Sequence, residues 1–376
     1  NMLRIHLLVG SLNNVNTQAL VYPFFFAKNE LGQSGINVFV YRNLRQPSLV
    51  DCDILCLDSK FFKAQISRDE KRTITVIENL CRHVENTIWF NTADGTGNIQ
   101  KNVLDVVKLY FKSQLLTNKD LYQQPLYGGR LYTDYFFKRY NITDDPPTAS
   151  TTLNREQISK LRLSWNLGMA PAFSISRDIT RKVFLKTNLI KSLHHFDPIP
   201  NALSKTSYST KEGLRICGRM SFSYPRRTVS HQRQLTYRSL RKLGVETEGV
   251  SKRKYLQELR RSNLTISPFG WGEICIRDFE AFLAGSVLLK PNVGHIETYP
   301  PTYSPGQTYV PLNWDLGDLM DILADLRADN DRLTALRLQA FANFRNHLGA
   351  GGARAFSNKI QEIVGELQGQ KVQGVS

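Results

Sequence analysis

Thr265-Ile-Ser-Pro-Phe-Gly-Trp-Gly-Glu-Ile-Cys-Ile-Arg-Asp-Phe-Glu-Ala-Phe-Leu-Ala-Gly-Ser-Val-Leu-Leu-Lys290 is the run that decides the fold. It reads as a strand, a turn at Gly270-Trp271-Gly272, a helix from about Glu273 to Ala284 and a second strand, Ser286 to Leu289. Successive helical residues rotate by about 100°, so Glu273, Arg277 and Glu280 stack on one stripe. The remaining positions, Ile274, Cys275, Ile276, Phe279, Phe282 and Leu283, are apolar, which predicts a helix buried against a sheet. Two readings of the stripe stand side by side. In the plainer one Glu273 and Arg277 form an ordinary i, i+4 pair and Glu280 lies at a solvated edge. In the other, Gly270 and Gly272 let the backbone approach a ligand whose phosphates meet the helix N-terminus and Arg277, while Glu280 accepts from ribose hydroxyls.

Working outward, the same alternation recurs in both directions. Leu3 to Val9 reads as a buried strand, Thr17 to Leu31 as a helix closed by Gly32, and Ile36 to Tyr41 as a strand. The apolar run beginning at Asp53, a helix from Arg68 to Val84 and the strand Thr87 to Phe90 continue it, predicting a parallel sheet with helices on both faces. Gly10 is followed by Ser11, Leu12 and Asn13, so the glycines of a dinucleotide fingerprint are missing. A helix is expected from Asn102 to Leu116, an irregular aromatic region from Asn118 to Pro147 and a helix from Arg155 to Trp165. His194 to Pro200, with the serine- and threonine-rich stretch after it, reads as an interdomain linker. Leu214 to Gly218 then opens a second unit, with a helix capped by Ser230 and ended by Gly244, a shorter helix from Tyr255 to Arg261, and strands at Val287 to Leu289 and Tyr309 to Leu312. Helices at about 316–326, 332–347 and 354–367 follow. The expected fold is α/β, two Rossmann-like domains facing each other across a cleft. Residues 1–200 make an acceptor-side domain with linker and 201–345 a donor domain, and 346–376 form a terminal helix and tail.

The run Arg277-x-x-Glu280-Ala281-x-x-Ala284-Gly285, followed by an apolar strand, resembles the donor-site helix of GT-B glycosyltransferases, the exostosin-like branch above all. The likeness covers roughly residues 212–325. It implies that Glu280 holds the ribose of a nucleotide-sugar, that nearby basic residues hold the diphosphate without a metal, and that the last helix returns to the first domain. Many retaining members carry a second glutamate eight positions earlier, where this chain has Gly272, with Glu273 one place late. Stereochemistry is therefore not carried over.

The chain has 376 residues, enough for two cores, and a formal charge of +16 that calls for an anionic partner. Half of that excess lies between Arg226 and Arg261, where eleven Lys or Arg face Glu246, Glu248 and Glu258. Such a run is as readily a solvated face. Cys52, Cys56, Cys81, Cys217 and Cys275 lack paired zinc-ligand spacing and read as packing thiols of a reducing compartment. No apolar stretch approaches the ~20 residues of a membrane helix. A cytoplasmic enzyme is expected, with peripheral contact to an anionic membrane face.

Ligands of open α/β sheets sit beyond the carboxyl ends of strands. That rule nominates Arg219, Arg226 and Arg227 for the diphosphate, beside Gly270, Trp271, Gly272, Glu273 and Arg277, with Lys252 and Tyr255 near the base. His295 and Glu297, in the turn after the next strand, are candidates for contacting and orienting the transferred sugar or phosphate. A lone loop histidine is more often structural. Asp94 is the candidate general base, with an Asp-Gly turn as its rival reading. Arg130 and Tyr132 are candidates for an acceptor pocket. Asp51 and Asp53 mimic a metal-binding acidic signature but precede their strand, and His194-His195 lacks a third ligand, so no metal is expected. The combined expectation is metal-independent sugar transfer from a nucleoside-diphosphate-sugar to a glycan or glycolipid. A nucleic-acid-modifying transferase and a non-catalytic nucleotide- or glycan-binding module are the alternatives.

Overall fold

The computed structural model describes residues 2–170 and 213–369. The expected linker at His194 to Pro200, with its histidine pair, lies outside the described residues. The first unit runs β1 (Leu3–Leu8), α1 (Val15–Phe26), α2 (Lys28–Gln33), β2 (Ile36–Tyr41), β3 (Ile54–Asp58), α3 (Ser59–Arg68), α4 (Glu70–His83), β4 (Thr87–Asn91), α5 (Lys101–Val106), β5 (Leu109–Lys112), β6 (Gln114–Leu116), α6 (Leu131–Tyr140), α7 (Arg155–Ser159) and β7 (Leu161–Leu163). The second runs β8 (Ile216–Cys217), α8 (Arg227–Lys242), α9 (Lys252–Arg261), β9 (Leu264–Ile266), α10 (Ile276–Ala284), β10 (Val287–Pro291), β11 (Ile296–Thr298), β12 (Tyr309–Leu312), α11 (Leu319–Ala328), α12 (Asn330–Leu348) and α13 (Ala350–Leu367).

Six strands form one parallel sheet in the order β2-β1-β3-β4-β5-β7, and four form a second, β12-β10-β9-β8. Every residue of β3, β4 and β5 is buried, as central strands covered on both faces require. The carboxyl ends of the sheets face each other. The loop after β4 carries Asp94 and Gly95, and a Cβ on Gly272, in the loop after β9, would stand 2.7 Å from the Gly95 nitrogen. Two Rossmann-like units opposed in this way are the GT-B arrangement. An antiparallel ribbon joins the units, with Leu116 opposite Ile296 and Gln114 opposite Thr298. Helix α13 packs on α1 and α2, placing Phe356 edge-on to Phe24 and Trp165 of the first unit. One hydrophobic core runs through both units, joining Phe90, Phe111 and Trp165 to Phe279, Phe344 and Phe356.

Five local expectations are overturned. Leu109 to Leu116 is strand rather than helix: Leu109 to Lys112 is buried throughout, and a fully buried strand is a continuous apolar run with no period of its own. Within the supposedly irregular aromatic region, Leu131 to Tyr140 is a helix burying Tyr132 and Phe136, stopped by Asn141 in the left-handed region at φ 53°. Of the predicted Arg155 to Trp165 helix only the turn α7 forms, and β7 follows. The donor-side helix starts at Ile276, where the Asp278 carboxylate accepts the Cys275 amide at 3.1 Å. Glu273 therefore precedes the helix and shares no stripe with Arg277. Ser230 also lies inside α8 rather than capping it, its hydroxyl bound to Tyr224.

Candidate active site

The turn from Phe269 to Gly272 is held by its carbonyls. Arg233 Nε donates to Phe269 at 2.6 Å, Tyr132 to Gly270, Arg130 to Trp271, and the Gly270 amide to Gly272 at 2.9 Å. Gln232 accepts the Phe269 amide at 2.8 Å. The glycines here admit protein rather than ligand. A Cβ on Gly270 would stand 3.0 Å from Arg233, and one on Gly272 would meet the first-domain backbone. Arg130 and Tyr132, expected in an acceptor pocket, instead reach across the cleft to fix this turn, although Arg130 keeps a face on the cavity described below. Beneath the turn lies a fully buried ion pair that the sequence did not announce. Asp278 and Lys290 sit 2.9 Å apart, and Asp278 also accepts from Tyr303 at 2.7 Å and from Ser267. A buried charge with all its partners supplied fixes geometry, and this pair ties the ends of β9 and β10 to the start of α10.

Arg277, on the first turn of α10, is half-buried, yet its Nε and Nη1 have neither solvent nor any hydrogen-bond partner. Burial opposes its charge, but Cys275, Tyr255, Asp278 and Glu280 outweigh this and raise its pKa. One turn on, Glu280 is buried and receives Lys252 Nζ and the Tyr255 hydroxyl, the latter at 2.8 Å. Lys252 and Tyr255 therefore belong to this cluster, and Lys252 is half-exposed. Arg219, after β8, is committed elsewhere: it forms a two-pronged pair with Glu258 at 2.8 and 3.0 Å. Arg226 reaches Thr148 of the first unit, and Arg227 is exposed. The N-terminus of α8 already has its anion. Asp144 of the first unit accepts the Thr228 amide at 2.9 Å and its hydroxyl at 2.7 Å, a contact with no local sequence signal.

On the first-domain side, Asp94 is half-exposed and accepts from Asn16 Nδ2 at 3.1 Å. Asn14 caps α1 and thereby orients Asn16, which also donates to the Thr92 carbonyl at 2.6 Å. Asp94 opens onto an interdomain cavity of about 580 Å³, shared with Lys60, Lys63, Arg130, Arg226 and Trp271. Arg130 stacks its guanidinium 5.6 Å from the Trp271 ring. Tyr224 is within electrostatic reach of both Asp94 and Arg277. Below, at the end of β5, the fully buried Lys112 donates to the Asn98 carbonyl at 3.1 Å. Desolvation lowers its pKa to about 7, with Glu273 and Asp94 opposing that fall and Arg130 and Lys60 adding to it.

The other nominated residues lie in the contact between the units. Glu273 is fully buried and accepts from Thr96 at 3.1 Å and Gln114 at 3.0 Å, with His295 Nε2 3.7 Å away. Burial pushes its carboxyl up, but His295, its own amide and Arg130 outweigh that and hold it below the usual range. His295 stands among Phe269 and Trp314, and Glu297, on the antiparallel ribbon, pairs with Lys119. Neither borders the cavity beside Asp94. Asp51 and Asp53 are engaged by Arg4 at the opposite end of the first sheet. Among the described residues no cluster of three or more His, Cys, Asp or Glu could hold a metal, and no helix is long and apolar enough to cross a membrane.

No protein-family profile matches the chain, and no curated protein matches it in sequence. Solved structures that it is similar to include Anabaena HepE in complex with UDP-glucose, at 10% identity and TM-score 0.45, covering 96% of this chain and 99% of that one. A glycosyltransferase from Rickettsia africae aligns at 11% identity and TM-score 0.44 over 98% and 99% of the two chains. Sucrose-phosphate synthase from Thermosynechococcus elongatus aligns at 9% identity and TM-score 0.44 over 98% and 99%.

Proposed function

We propose that the chain transfers a sugar from a nucleoside-diphosphate-sugar to a glycan or glycolipid, holding the donor at α10 and the acceptor in the cavity beside Asp94. The observation that carries this reading is Arg277. Leaving buried, charged donors without partners costs on the order of 1–3 kcal/mol or more, which is tolerated where a ligand supplies the acceptors. A diphosphate at the start of a helix fits that demand in charge and in geometry. Glu280 is one helical turn away, at a suitable remove for ribose hydroxyls, with Lys252 free to swing from its half-exposed position.

In this scheme Asp94, oriented by Asn16, accepts the proton of the acceptor hydroxyl as that oxygen bonds to the anomeric carbon. The bond from that carbon to the diphosphate breaks, and the electron pair leaves with the nucleoside diphosphate. Arg277 and Arg226 offset the charge that develops there, with no metal assigned to the step. Glu273 and Glu297 are assigned to holding the units together, since their carboxylates meet Thr96, Gln114 and Lys119 of the first unit, and His295 joins them through its backbone carbonyl, which accepts the Thr117 amide at 3.0 Å.

Thermal shift with a nucleotide and sugar-nucleotide series tests the donor site. UDP or GDP species raise Tm, by an amount that corresponds to about 2.7 kcal/mol at a hundredfold excess over Kd. Arg277→Ala and Glu280→Ala lose the shift, whereas Lys242→Ala, an exposed change at the far end of α8, keeps it. Absence of a shift with every nucleotide rejects the reading.

A further inference from the structure

Resting on that reading, we infer that the acceptor is itself anionic, and that Lys60 and Lys63 on the first turns of α3 receive its phosphate or carboxylate at the first-domain wall of the interdomain cavity. The cavity holds about 580 Å³, room for a sugar and its charged substituent beside Asp94. Four cations, Lys60, Lys63, Arg130 and Arg226, share its wall, and Asp94 is the one carboxylate among the residues lining it. The remaining polar wall includes Asn98, Gln100, Thr148 and Ser150, amides and hydroxyls that match sugar hydroxyls.

The cations differ in how they are occupied. Arg130 is fixed by the Trp271 and Gly128 carbonyls and Arg226 by Thr148. Among the described residues Lys60 and Lys63 have no side-chain hydrogen bond and no ion pair, although acidic residues lie nearby in the chain. Asp58, two residues before Lys60, is fully buried and turned away from them. It accepts from Gly10 at 3.1 Å, Thr17 at 2.9 Å, the Lys60 amide at 2.9 Å and Thr92 at 2.8 Å. Asp58 caps α3 from beneath and makes no ion pair with either lysine, so both ammonium groups are left to the cavity side. A neutral acceptor offers these two lysines no charged partner, whereas a phosphate-bearing or acidic-sugar acceptor does.

Isothermal titration on the full chain saturated with UDP tests this, the nucleotide keeping the diphosphate site occupied. The probes are glucose, glucose 6-phosphate and glucuronate, so that the last two separate a phosphate from a carboxylate acceptor. The wild type binds at least one anionic probe about tenfold more tightly than glucose, and salt weakens that preference. Lys60→Met with Lys63→Met brings the anion to parity with glucose while the Tm shift by UDP remains. The exposed Lys63→Gln change alone gives an intermediate preference and guards against misfolding of the double variant. Equal binding of charged and neutral probes by wild type, failure of both anions to bind, or a preference that survives both lysine changes overturns the inference. A UDP shift with no anion preference leaves the donor reading standing and removes this one. Anion preference without any nucleotide shift rejects the donor reading and, with it, the assignment of the bound anion as an acceptor.

Discussion

Asp94 and Arg277 divide the proposed chemistry, and their variants separate accordingly. Asp94→Asn keeps a polar group facing Asn16 but has no basic oxygen. Its expected result is a fall in kcat of about 10² to 10⁴-fold with the UDP shift intact, and initial rates beside melting curves check both. Loss of nucleotide binding in that variant assigns Asp94 to the fold rather than to the reaction. Both residues are nominated by the sequence, Arg277 through its place after a glycine turn and Asp94 through its place after a strand. Lys112, Asp144 and the Asp278–Lys290 pair were not, because nothing local distinguishes a buried charge whose partner lies far along the chain. Lys112 also sets a pH dependence. Its pKa is about 7 folded against 10.5 for the free side chain, so between those values the unfolded chain holds the extra proton and stability rises with pH. Below pH 7 both states are protonated and the burial penalty is full. Lys112→Met is expected to be more stable than wild type there, by up to a few kcal/mol, with the gap closing as pH climbs. Denaturant midpoints from about pH 6.5 to about pH 9.5 check it, and a constant gap rules it out.

Among the elements legible beforehand were helices that keep a regular amphipathic period, such as α4 and α9. Those misread share a physical cause. β5 is buried on both faces and loses its alternation, while α6 carries aromatic residues on its buried and its exposed faces alike and buries Thr133 and Asp134, which blurs its helical period. The start of α10 was misplaced because Glu273 is drawn out of the helix by Thr96 and Gln114, partners more than 150 residues away. The turn that precedes this helix is correspondingly intolerant. Gly272→Ala would drive a Cβ to 2.7 Å from the Gly95 nitrogen and 3.1 Å from the Asp94 Cβ, so the units must part or the Asp94 loop must shift. A loss of about 1–3 kcal/mol is expected, together with reduced transfer, by analogy with overpacked cores. Gly249→Ala, with nothing within 4 Å of the added carbon, is the matched control and should leave the denaturant midpoint within experimental scatter. Equal midpoints for the two variants would mean that the contact between the loops is loose.

At the scale of the whole molecule, the units are cross-linked by the chain itself. The β6–β11 ribbon sews one to the other. Helix α13, which follows the second sheet in sequence, lays Phe356 into the first unit against Phe24 and Trp165. Arg162 clasps Glu366, and Lys108 reaches the Leu367 carbonyl at 3.2 Å. Two Rossmann-like units joined only by a linker would unfold separately, but here a single apolar cluster includes both, and loss of either face exposes the other. Phe356 is fully buried, so Phe356→Ala removes a ring that the surrounding side chains cannot replace, at about 3–5 kcal/mol. The expected signature is one transition moved to lower denaturant, with tryptophan fluorescence and far-ultraviolet circular dichroism coinciding in both wild type and variant. Trp165 and Trp89 report on the first unit, Trp271 and Trp314 on the second, so an early fluorescence change ahead of the dichroism would mean that the units melt independently. In that case α13 is a local strap rather than the element that couples the acceptor side to the donor side.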